Sequence, residues 1–138
     1  MTGGGSAAGT PPPAGAYDPL RALGRPGGKP DRQPRFRVLL HKRDWAAWQK
    51  LRDEAGEENA QQLWDHLANR PDQPPLLGTC TPLRGDHMKA KNGWSRVYHY
   101  EVSGPGRVDY RYNAQYEGGS TGQKHGCTRI ISITMGSH

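Results

Sequence analysis

Two short segments interleave acids, bases and a histidine with bulky residues. In YHYEV (98–102) and RVDYRY (107–112) the polar positions are His99, Glu101, Arg107, Asp109 and Arg111. These are the side-chain types that cleavage of an RNA phosphodiester needs. A ribose 2′-hydroxyl attacks the adjacent phosphate, one group removes its proton, another protonates the leaving oxygen, and fixed cations stabilise the added charge. Histidine exchanges a proton near neutral pH. Arginine grips phosphate through two parallel hydrogen bonds and stays charged. That chemistry requires no metal and no organic cofactor, and none is expected. The chain has no Walker-type loop, G-x-S-x-G elbow, H-E-x-x-H helix or paired-carboxylate pattern. Cys80, His87, His125 and Cys127 carry zinc-ligating atoms but lack the tight C-x-x-C spacing of a zinc site, so two reduced thiols are expected.

The strands that position these groups are WSRVYHYEV (94–102), GRVDYRYNA (106–114) and TRIISITM (128–135). In the first, Trp94, Tyr98, Tyr100 and Val102 share a face; in the second, Val108, Tyr110 and Tyr112 do. Their alternation marks the tyrosines as core rather than as a base-stacking platform, and leaves Trp94 and Tyr116 freer to meet a ligand. If Val102 and Val108 are buried together, the pleat allows only registers that differ by two residues. One sets Glu101 opposite Asp109, a like-charge pair that costs stability. The other sets Glu101 opposite Arg107 and His99 opposite Asp109, and leaves Ser103-Gly104-Pro105 as the loop. The second is predicted, and it collects the five polar side chains on one sheet face. In the last strand, Ile131 and Ile133 are expected to look inward and Ile130 to pack at the edge or against another chain.

Upstream, RFRVLLH (35–41) alternates Phe36, Val38 and Leu40 with Arg35, Arg37 and Leu39, the period of a strand with one buried face. Asp44 stands as an N-cap before Trp45, Trp48 and Leu51 at helical spacing. Gly56 ends that helix. A second runs from Glu57 to Asn69 with Ala60, Leu63, Trp64 and Leu67 on one stripe and His66 on the surface, and Pro71 stops it. Residues 71–93 are punctuated by prolines and glycines and read as a long surface loop carrying Arg84, His87, Lys89 and Lys91. Residues 1–34 hold 8 glycines and 7 prolines and read as a disordered tail. The expected architecture is therefore α+β: a tail over 1–34, then one domain over 35–138 built from an N-terminal strand, a two-helix hairpin and a three-stranded antiparallel sheet.

Composition agrees with a single small domain. The chain has 138 residues, 33% of them hydrophobic, and no apolar run long enough to cross a bilayer, so a cytoplasmic protein without a membrane partner is expected. The net charge is +6 and unevenly spread. Residues 35–43 carry +4, the helical stretch 44–73 carries −4, and residues 74–138 carry +4. A polyanion would therefore meet the sheet and the loop, through Arg84, Lys89, Lys91, Arg96 and Arg111, and be turned away by the helices. Each feature also has an inert reading: charge clusters as solvated faces, His99 as a mere partner of Asp109, and His41 and His125 as incidental.

PLRG (82–85), WSRVYHYEV, GRVDYRY (106–112) and a terminal strand closing in GSH, in that order after two helices, resemble the RelE/ParE toxin superfamily, and its YoeB branch in particular. The resemblance implies a RelE-like fold over roughly 35–138. It implies a toxin of a toxin–antitoxin system, an mRNA interferase that enters the ribosomal A site and is held inactive by a cognate antitoxin. It makes Arg107 the arginine on the scissile phosphate, His138 the general acid, and Arg84 a contact to the RNA or rRNA backbone. His99 and Glu101 fall where RelE-type members carry lysines on the preceding strand; with those lysines absent, Glu101 is the first choice for general base and His99 the second. Two other functions fit the same elements: a ParE-like poison of DNA gyrase, and a non-catalytic RNA- or protein-binding module.

Overall fold

The structure, a computed structural model, describes residues 19–29, 33–73, 79–102, 106–116 and 124–135, with Thr79 and His87 given by backbone alone. Its strands are β1 (Leu20–Ala22), β2 (Phe36–His41), β3 (Thr79–Pro82), β4 (Tyr98–Glu101), β5 (Arg107–Tyr116) and β6 (His125–Thr134). Helices α1 (Trp45–Ala55) and α2 (Glu57–Asn69) lie between β2 and β3. All six strands form one sheet in the order β1-β2-β6-β5-β4-β3. β2 runs parallel to β6, and every other neighbouring pair is antiparallel. The expected three-stranded antiparallel sheet with a separate N-terminal strand is thus corrected to a six-stranded mixed sheet.

Each difference has a physical cause. β2 is interior, with Phe36, Val38, Leu39 and Leu40 all buried. A strand covered on both faces reads as a near-continuous apolar run rather than an alternation. Leu39, expected outward beside the arginines, is buried with Leu20 and Cys127 in a small second core. The two edge strands come from segments poor in strand signal. β3 (TCTP) lies within the stretch read as a loop, where Pro82 is tolerated because an edge strand needs only one ladder. The same stretch also holds a short 3-10 turn, Asp86–Met88. β1 lies within the stretch read as a disordered tail.

Three anchors order residues 20–26. Leu20, Leu23 and Pro26 are buried. The Trp64 indole donates to the Leu23 carbonyl at 2.9 Å. Arg25 grips Asp65 through two bonds of 2.9 and 3.1 Å. The rest of the expected tail, 1–18 and 30–32, lies outside the described residues.

α1 and α2 cover one face of the sheet. Gly56, at φ 92°, supplies the left-handed backbone that lets α2 start one residue after α1 ends. Trp48 and Leu51 from α1, and Ala60, Leu63, Trp64 and Leu67 from α2, pack on Val38, Leu40, Tyr100, Val108, Tyr110 and Ile130. Trp45 stays 52% exposed, and Asp44 makes no capping bond. A 3-10 turn at Lys42–Asp44 precedes the helix instead, capped by His41, whose Nδ1 accepts from the Arg43 amide at 3.1 Å.

His66, expected on the surface, is buried on the core stripe of α2. Tyr110 spends its single hydroxyl hydrogen on the Pro71 carbonyl at 2.8 Å, so it accepts from His66 Nε2 at 3.0 Å. His66 Nδ1 is then a buried lone pair with no donor. Burial, with the Arg70 charge adding to it, lowers the His66 pKa to about 4.

Candidate functional site

The helix-free face of the sheet is where the polar side chains meet. The register is the predicted one: Glu101 pairs with Arg107, Tyr100 with Val108 and His99 with Asp109. Val108 and Tyr110 are buried beneath the helices, so by alternation Arg107, Asp109 and Arg111 stand on the opposite side, with His99 and Glu101 beside them.

Asp109 is the centre of this group. Its Oδ1 accepts from His99 Nδ1 at 2.6 Å, and its Oδ2 accepts from Ser132 Oγ at 3.3 Å. A carboxylate only accepts, so an imidazole hydrogen sits on Nδ1, and whenever the ring is neutral its lone pair is on Nε2. That is the arrangement in which an acid orients a histidine for proton abstraction. Both side chains are about a quarter exposed, sheltered enough to be held and open enough to be reached. Arg107 is half-buried one step along β5, between Glu101 on β4 and Thr134 on β6, and its guanidinium donates to the Gly106 carbonyl at 3.1 Å. Glu101 is exposed at the end of β4.

The expected RNA-contacting residues divide. Arg111 belongs to the face and donates to the Lys89 carbonyl at 3.3 Å, which ties the 83–97 segment to it. Lys91 lies exposed at the start of a tight turn, Lys91–Trp94, whose Asn92 and Gly93 both have positive φ (54° and 86°). Lys89 pairs with Asp86 at 3.1 Å. Arg84 and Arg96 line a cleft of about 430 Å³ with Pro82, Leu83 and Gly85, and none of His99, Arg107 or Arg111 takes part in it. Arg96 there braces the Leu83 carbonyl, while Arg84 is exposed. His138 lies outside the described residues. Trp94 and Tyr116, expected to be free, pack on each other at 5.1 Å against Leu39 and Cys127.

One member of the face, Arg129, escapes the alternation rule. β6 carries a bulge: Asp109 pairs with Ser132 but Tyr110 with Ile130, so Ile131 is the extra residue. Inward orientation therefore switches from Ile133 to Ile130, not Ile131, and Ile130 is buried. The same switch turns Arg129 onto the open face directly opposite Arg111. A signal was present, since placing Ile131 and Ile133 inward on an unbroken strand would also drive the Arg129 charge beneath the helices.

Neither cysteine belongs to the site. Cys80 packs on the helix side of the sheet and Cys127 on the open side, so the two cannot share a disulfide or a metal, and both thiols are free. Burial pushes the Cys127 pKa up to about 12. Among the described residues no three His, Cys, Asp or Glu side chains lie together as a metal site requires, and no helix is long and apolar enough to cross a membrane. Compared with known proteins, the chain matches no family model, no curated protein and no solved structure.

Proposed function

We propose that this protein is an endoribonuclease of the toxin type, cleaving messenger RNA by acid–base chemistry on the open sheet face. The observation that carries the reading is the His99–Asp109 pair, held at 2.6 Å one step along β5 from Arg107. His99 Nε2 takes the proton of a ribose 2′-hydroxyl, and the freed oxygen attacks the adjacent phosphorus. The bond from phosphorus to the 5′-oxygen of the next nucleotide breaks, leaving a 2′,3′-cyclic phosphate and a 5′-hydroxyl. Arg107 balances the charge gathered on the phosphate oxygens. His138, carried over from the RelE/YoeB resemblance, is assigned the proton for the leaving oxygen. His99 replaces Glu101 as first choice for the base because it is oriented by a partly buried hydrogen bond to Asp109, whereas Glu101 is exposed.

Expression of the chain in a bacterium, followed by pulse labelling, tests this. Arrested amino-acid incorporation with continuing DNA synthesis is expected, relieved in His99→Ala and Arg107→Ala. DNA breaks with ongoing translation would instead mark a gyrase poison, and undiminished arrest in both variants would remove the assignment.

A further inference from the structure

Arg111 and Arg129 face each other directly across β5 and β6, a placement in which like charges repel. Neither forms an ion pair with an acid among the described residues. The nearest carboxylate along β5, Asp109, is already engaged by His99 and Ser132. Among the described residues the Nε of each arginine is buried without a hydrogen-bond partner, and Arg111 is anchored through the Lys89 carbonyl. Burial, then the charge of Arg129, pull Arg111 below the ordinary guanidinium range. A protein gains no stability from such a pair. Two half-buried guanidinium groups with a buried, unused Nε donor each and no acidic partner among the described residues are instead what an anion with several acceptor oxygens completes.

We propose that Arg111 and Arg129 form a phosphate-binding subsite, which takes a backbone phosphate of the RNA strand next to the one cleaved at His99 and Arg107. This rests on the ribonuclease reading above for its ligand, and on the arginine pair alone for its existence. Arg107, the His99–Asp109 pair and the Arg111–Arg129 pair succeed one another at alternate positions of β5, each step roughly 7 Å along the strand. An extended single strand presents its phosphates in such a row, and proteins that bind single strands track the backbone with a line of cations. The ladder thus sets the register of the substrate, placing one phosphate in the anchor and its neighbour before the base.

The test uses the full chain and a six-nucleotide RNA fully 2′-O-methylated so that it cannot be cut, with binding followed by fluorescence anisotropy across a salt series. Arg111→Gln and Arg129→Gln are each expected to weaken binding roughly tenfold and to reduce the log–log salt slope by about 1. Lys50→Gln, which removes an exposed charge on α1 at the opposite face, should bind as the unaltered chain does. In phosphate-free, low-salt buffer Arg129→Gln should melt roughly 1–5 °C higher, because a repulsive pair has gone; a merely structural arginine would melt lower on removal. Unchanged affinity and slope in both variants, with circular dichroism showing them folded, would overturn the subsite while leaving the nuclease reading in place. Weakened binding in a chain that cleaves no message would keep the subsite and remove the nuclease. Equal competition by inorganic phosphate or a hexaglutamate peptide at matched charge would contradict RNA as its ligand.

Discussion

Protonating His66 would put a charge beside Arg70 in a core that offers it no acceptor, which is why its pKa falls to about 4. The unfolded chain protonates the same ring near 6.5, so between roughly pH 6.5 and pH 4 the unfolded state holds a proton that the native state lacks. Stability therefore falls as pH drops through that window, by up to about 3 kcal/mol, and this contribution levels off below it. Urea unfolding from pH 7 to pH 4 checks this. His66→Gln retains a donor for Tyr110 but cannot titrate, and should lose that part of the slope. Asp109 makes a different prediction. Asp109→Asn leaves the shape intact but lets an amide N–H confront the imidazole, which favours the wrong tautomer. Cleavage should drop by one to several powers of ten with RNA affinity unchanged, measured as single-turnover rate against anisotropy. An equal loss of affinity would make Asp109 a binding group rather than an orienting one.

Elements differ in how openly the chain declares them, and the reason is how many neighbours each has. α2 is written in full: its stripe, its acidic first turn and Pro71 beyond its end agree on one helix. The β4–β5 register was equally legible, because only one pairing keeps both valines buried without setting Glu101 against Asp109. β1 and β3 were not, since an edge strand needs one ladder and few apolar residues, and both hide among prolines and glycines. The bulge at Ile131 left only an indirect signal, the conflict between the Arg129 charge and the core, which no local propensity records. For β1 the consequence is measurable. Removing residues 1–29 exposes the faces that Leu20, Leu23 and Pro26 cover and leaves the Trp64 indole and Asp65 without partners. The shortened chain should lose about 3–5 kcal/mol of unfolding free energy in urea. An unfolding free energy unchanged by that truncation would refute the anchoring role of residues 20–26.

At the scale of the whole molecule, the sheet separates two tasks. One face is spent on the helices and on a core that reaches from Leu23 to Tyr100. The other keeps its charge: histidine, acid and arginine side chains that the helices never cover. The acidic residues are concentrated in the helical stretch on the far side, as the −4 over 44–73 foresaw. That division leaves the open face as the side where the proposed chemistry would meet a polyanion. The most direct measurement is primer extension on a message in a translating extract, with the ends of the fragments identified. Cuts at defined codon positions that carry a 5′-hydroxyl on the downstream fragment, abolished in His99→Ala and Arg107→Ala, are the predicted result. An intact message, or cleavage that persists in both variants, would contradict the account.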